Sequence, residues 1–188
     1  MKNWKRTSTY LSLATLLVSG CLLTISAVRA ADFPPGSSLE VNQLLSDVKA
    51  EAIALENDCD QLAQWAGNRR LSWESHSEKL NLIREHVNKA GRLLSDLHAV
   101  RDTASPWQQQ AIDRIYPLLK ELAGNTEGMI NLLNDTSHAY RFPEYRDYAK
   151  AGYKLAENIK ALVSDYVEYG EHEAEYRRLQ EKLDLTSS

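Results

Sequence analysis

The chain has only two cysteines in 188 residues, Cys21 and Cys59. That excludes a disulfide-stapled miniprotein. Eight glycines and five prolines exclude collagen-like and Pro-rich low-complexity classes. Positive charge is also scarce, with 22 Lys and Arg against 26 Asp and Glu, a formal charge of −4. Such a chain is poorly built to neutralise phosphates, so nucleic acid is excluded as a partner. Strand signals are missing too: there is no sustained β-branched alternation and no Asn-Gly or Asp-Gly hairpin turn. Gly-rich phosphate loops, Gly-x-Ser-x-Gly, His-Glu-x-x-His, EF-hand loops and Cys-x-x-Cys-His do not occur. No catalytic constellation is readable, so the chain is expected not to be an enzyme and to need no cofactor. What is present is 43% hydrophobic residues, enough to build a core.

Residues 1–30 read as an address. Lys2, Lys5 and Arg6 are followed by an uncharged, apolar or small run from Leu11 to Val28, and Val28-Arg29-Ala30 resembles a cleavage site. Cleavage after Ala30 would remove four positive charges and no negative ones, leaving 158 residues at −8. Two other readings share the segment. Val18-Ser19-Gly20-Cys21 is similar to the lipobox of bacterial lipoproteins, which allows a lipid anchor at Cys21, although the run stays apolar beyond it. An uncleaved anchor is the third reading, because the run of about 18 residues reaches the lower limit for a spanning helix. All three place the domain outside the cytoplasm, periplasmic or secreted, with no membrane span once the leader is removed. Residues 31–38 (ADFPPGSS) form a short linker.

Beyond the linker the apolar residues recur at spacings of three and four, the mark of amphipathic helices. Four are predicted, over 39–66, 73–101, 106–138 and 144–183, with a tail at 184–188. The first opens on Ser37 and Glu40, a capping box. Its expected seam is Val41, Leu45, Val48, Ala52, Leu55, Cys59, Leu62 and Ala66, and Gly67 ends it. The second carries His76, Leu80, Ile83, Val87, Ala90, Leu94 and Leu97. The third starts at Ser105-Pro106 with Gln108 as the reach-back partner. Its expected seam is Ala111, Ile115, Leu118, Leu122, Thr126, Met129 and Leu133. Pro117 inside it removes a hydrogen bond and predicts a kink, and Gly124 and Gly128 weaken its helix propensity. The fourth has Tyr145, Tyr148, Gly152, Leu155, Ile159, Leu162, Tyr166, Tyr169, Glu173, Tyr176, Gln180 and Leu183, and is long enough to overhang. Four long helices with short connections predict an all-α, up-down-up-down four-helix bundle with coiled-coil-like heptads.

That alternation brings the first and third connections to one end. Gathered there are Trp65, Arg69, Arg70 and Trp73 with Tyr140, Arg141, Phe142 and Arg146, the densest aromatic and arginine grouping in the chain. Trp, Tyr and Arg anchor interfaces, and Arg clamps a carboxylate or phosphate with two parallel hydrogen bonds. The same aromatics also serve simply to plug an open bundle end. On the fourth helix Glu168, Glu171, His172 and Glu175 fall on one face at a spacing that can ligate a divalent metal, or make an ordinary solvated stripe. His76 and His138 are a further pair to consider as haem ligands. Cys59, on a seam, is expected to be a buried, inert thiol. The expected function is a non-catalytic binding or interaction module of the bacterial cell envelope, its partner an unknown protein or small ligand. A metal- or haem-binding bundle and a periplasmic chaperone-like protein are the alternatives. Helical periplasmic chaperones of the Spy type carry Leu-Thr-x-x-Gln repeats, which this chain lacks.

Overall fold

The computed structural model describes residues 39–186. The expected leader over 1–30, Cys21, the 31–38 linker, Ser37 as a cap and the last two residues of the tail lie outside the described residues. The described regular structure is all helical: α1 (Leu39–Trp65), α2 (Trp73–Ala99), α3 (Pro106–Asp135) and α4 (Pro143–Thr186). These form a four-helix bundle, with α1 and α3 each packed against both α2 and α4. None of the described helices is long and apolar enough to cross a membrane.

Cross-helix contacts run in opposite chain order between α1 and α2 and between α3 and α4. Lys79 of α2 meets Asp58 of α1 at 2.8 Å, while His86 meets Glu51 at 2.8 Å. Trp73 at the start of α2 donates from Nε1 to the Leu133 carbonyl near the end of α3. Trp107 at the start of α3 meets Glu173 late in α4, and Asn125 reaches back to Tyr148. Lys160 of α4 pairs with Glu56 of α1 at 2.6 Å. One charged side chain lies in the α1–α2 seam itself. Burial pushes the Glu51 carboxyl up, but hydrogen bonds from His86 and Lys89 outweigh that and hold it below the usual glutamate range.

The caps behave as their chemistry demands. Ser105 accepts from the Gln108 N–H, and Gln108 Oε1 accepts from the Ser105 N–H, a complete capping box with Pro106 beside it. Ser72 accepts from the Ser75 N–H at the start of α2. Gly67 ends the first turn after α1 at φ +88°, a left-handed conformation that costs a side chain about 1–2 kcal/mol. A Cβ there would also lie 2.9 Å from Arg146 Nη2. Gly67→Ala is therefore expected to lower the thermal midpoint by about 2–6 °C, read by circular dichroism. An unchanged midpoint would show that this turn carries no strain.

The buried seams of α1 and α2 fall where the 3-4 spacing put them, with Glu51 added and Ala66 half-buried at the end of α1. Two seams differ. In α3, Leu119 and Ile112 are buried while Leu118 is only half-buried. The helix also runs on through Pro117, Gly124 and Gly128, ending at Asp135 rather than 138. In α4 the buried row is Tyr145, Ala149, Gly152, Ala156, Ile159, Val163, Val167 and Gly170. The expected Tyr148, Leu155, Leu162 and Tyr166 lie half-buried beside it, and Tyr169 is exposed. Small residues on the inward face let α4 approach α1 and α3 closely, and the large side chains then spread over the flanks. At Gly152 a Cβ would sit 3.2 Å from Asn125 Nδ2, and at Gly170 one would sit 2.8 Å from the Trp107 ring.

Helix boundaries shift for local reasons. α2 stops at Ala99 because Arg101–Thr103 tighten into a 3-10 turn, held by Arg101 on both oxygens of Asp113. A second 3-10 turn, Ala139–Arg141, precedes α4, which starts at Pro143 and extends to Thr186. At 44 residues α4 outruns the 27-residue α1. From Glu171 to Leu185 its side chains are exposed except for Glu173 and Arg177, and the helix overhangs by about 24 Å at 1.5 Å per residue.

Candidate functional site

The first and third connections meet. The Gly67 N–H donates to the Tyr140 carbonyl at 3.3 Å, joining the turn after α1 to the 3-10 turn before α4. Under this junction sits an aromatic plug centred on His76. Its ring stacks on Tyr140 at 4.9 Å between centroids and meets the edges of Tyr145 and Trp65 at 5.5 and 6.2 Å. His76 Nδ1 shares a 3.2 Å hydrogen bond with the Tyr145 hydroxyl, and its Nε2 has no partner. Burial lowers the His76 pKa and raises that of Tyr145, so both rings are neutral near pH 7. A neutral plug is what a sealed, water-poor site can hold without large desolvation cost.

The eight residues expected at this end divide into two sets. Trp65 and Trp73 are half-buried and Tyr140 is buried, so these three belong to the plug and its walls. Arg69, Arg70, Arg141 and Arg146 are exposed, as is Phe142 at 44%. Arg141 lies over the Tyr140 ring at 5.2 Å and donates from Nε to its hydroxyl. The Arg146 guanidinium lies against Gly67. Among the described residues none of the four arginines has a carboxylate within ion-pair distance. The end therefore carries four exposed arginines without a carboxylate partner beside an aromatic plug. Lys79 was not expected here; it sits 5.6 Å over the Trp65 ring while bound to Asp58. Its position directly before the seam residue Leu80 gave no sign of that contact.

Comparison with protein-family models, with curated proteins and with solved structures finds no match.

The other sequence candidates are placed as follows. Glu168, Glu171, His172 and Glu175 remain on the exposed side of α4, with Glu168 and His172 3.7 Å apart. Among the described residues no group of three or more His, Cys, Asp or Glu could hold a metal ion. The stripe does not converge: Glu168, His172 and Glu175 are exposed, while Glu171 borders a small recess with Asn42 and Ser46 of α1. His76 and His138 do not form a pair of axial ligands: His76 is covered by Tyr140, while the exposed His138 lies beside Ser137 Oγ. Cys59 is buried, and burial together with the Asp58 charge pushes its thiol up to about 12. It is protonated and unreactive at neutral pH. At the opposite end Trp107 packs edge-on to Tyr169 and donates to Glu173, clamping the base of the overhang. Periodicity also passed over a groove on the α3–α4 flank lined by Gly124 and Asn125. The available signal was the pair of mid-helix glycines, 124 and 128.

Proposed function

We propose that this chain is a non-catalytic binding module of the bacterial cell envelope, exported by its leader, whose arginine end holds an anionic partner. The observation that supports this reading is the set of four exposed arginines without carboxylate partners on a chain of net negative charge. Uncompensated like charges are unfavourable in the isolated protein and become favourable when an anion arrives. The guanidinium fork suits a carboxylate or phosphate oxygen pair. Tyr140 holds Arg141 over its ring and by its hydroxyl, which lowers the entropy lost when that arginine binds. Phe142 adds an apolar contact at the same rim.

Pull-down from an envelope extract, followed by mass spectrometry, tests this reading. A partner held by the parent protein should be lost when Arg69, Arg70, Arg141 and Arg146 are all changed to alanine. It should be retained when the remote Arg84, Arg92, Arg114 and Arg178 are changed instead. Equal retention by both variants would overturn the assignment of the surface. The same preparation shows the true N-terminus and any lipid on Cys21.

A further inference from the structure

We propose that the overhang of α4 pairs, antiparallel, with the same overhang of a second copy of this chain, joining two bundles at the end away from the arginines. α4 stays helical to Thr186, well past Gly170, the last buried residue of its core row. A free-standing helical stretch of that length is marginal in water. Here it also carries large apolar side chains, with Tyr176 62% exposed and Leu179 47%. They are not scattered. Tyr169 and Tyr176 lie one heptad apart, Leu179 follows three residues later, and Leu183 continues the same spacing. That is a coiled-coil seam, at positions a, a, d and a, with His172 at the other d position.

The seam is not the face that α4 turns to its own bundle. On the α3 side, Trp107 packs against Tyr169, lies against Gly170 and donates to Glu173. On the α1 side, Asn42 and Ser46 border a recess with Gly170, Glu171 and Ala174. In heptad terms α3 covers position e, and α1 covers b, c and f. The arc left open holds a, d and g, and it carries the apolar stripe.

Charge chooses the occupant. Position g of the overhang holds Glu175 and, one heptad on, Lys182. Both are exposed, and neither has an opposite charge within ion-pair distance among the described residues. Let two copies run antiparallel, with Tyr176 of each layered against Leu179 of the other. Position g then flanks g, and Glu175 of each copy meets Lys182 of the other. A two-fold axis forms both pairs at once, because an isologous contact repeats every pairing. Flanking charges of this kind set partner and orientation. A parallel pair fails the same test. Position g would then flank e and set Glu168 against Glu173. The stripe is complementary to itself in one direction only. Trp107 already clamps the base of the overhang, so pairing orders little new backbone. From Tyr169 to Leu183 the contact runs about 21 Å at 1.5 Å per residue. That is at the small end of specific interfaces, so the dimer is reversible.

Sedimentation equilibrium of the exported, purified protein, from about 1 µM to about 200 µM, tests the proposal. A reversible monomer–dimer equilibrium is expected. Tyr176→Glu combined with Leu179→Glu should leave a monomer throughout. Its thermal midpoint should stay at the parent value, since neither side chain belongs to the core. Leu82→Glu, at an exposed apolar position on α2, should leave association within about twofold, as a distant independent site. Glu175→Lys alone should weaken dimerisation about tenfold. Adding Lys182→Glu to the same chain should restore it, because both pairs return with their signs exchanged. A monomer at every concentration, a dimer that survives the Tyr176 and Leu179 changes, or a charge exchange that fails to rescue would each overturn the proposal.

Discussion

Tyr145→Ala is expected to destabilise the bundle by about 3–5 kcal/mol, the largest loss of any single substitution considered. Tyr145 is among the largest side chains in this protein that are fully buried. Its ring meets the edge of His76, and its hydroxyl is the hydrogen-bond partner of His76 Nδ1. Truncation leaves a cavity the size of a phenol where α2, α4 and the Ala139–Arg141 turn meet. Collapse is hindered, because Tyr140 and Trp65 already hold the other faces of the histidine. Tyr145→Phe separates packing from polarity. It keeps the ring and removes one hydroxyl, leaving a buried nitrogen unpaired, so about 1–2 kcal/mol is expected. Urea midpoints of the two variants against the parent measure both losses. A cost below about 1 kcal/mol for the alanine variant would mean the plug relaxes freely and does not fix the Tyr140 ring under Arg141.

That dependence shows how unevenly the molecule could be read from its sequence. Apart from the buried Glu51 and His76, α1 and α2 bury aliphatic residues and leave charged ones at least partly exposed, so hydrophobicity and burial largely coincide. In α4 they separate. Ala149, Gly152, Ala156 and Gly170 face inward, while the more conspicuous Tyr148, Leu155, Tyr166 and Tyr169 flank them. Tyr145, Gly152 and Ile159 are buried as the spacing predicts, but a reading that favours large apolar side chains passes over Ala149, Ala156 and Gly170, where close approach requires small ones. The α3 register slips at Leu118 and Leu119 for a related reason: both are leucine, and only the facing helix decides which turns inward. Glu173, which looks like a polar break in a seam, instead accepts from Trp107 and pairs with Arg177.

The arginine end was legible because it follows from topology and composition together. Loop positions expected from four alternating helices bring Trp65, Tyr140 and the arginines near one another before any coordinate is known. Their division into plug and rim was not legible. It depends on the 3-10 turn that carries Tyr140 inward and leaves Arg141 outside. The groove was invisible to periodicity for the opposite reason, since it is made by missing side chains.

Acidification below about pH 6.5 is expected to destabilise the protein through His76, by up to about 1.4 kcal/mol for each pH unit. The groups facing this ring are Trp65 from α1, Tyr140 from the 3-10 turn and Tyr145 from α4. Lys79 lies beyond Trp65, and no described carboxylate is within ion-pair distance of His76. A proton placed on His76 would have no counter-charge. Burial accordingly lowers its pKa in the folded state. Above the unfolded value near 6.5 both states are neutral, and the group leaves stability independent of pH. Below it the unfolded chain takes up a proton that the folded chain refuses, so stability falls until the lowered native pKa is reached. The buried Glu51 acts in a different window: its folded carboxyl is held below the usual range, so its contribution is lost only as pH falls past about 4.5. Denaturant midpoints at pH 7.5, 6.5 and 5.5 isolate the histidine. His76→Phe should be less stable at pH 7.5, having lost the Tyr145 hydrogen bond, yet lose less than the parent on moving to pH 5.5. Parallel losses in the two proteins would show that the histidine is charged without penalty and that the plug admits water.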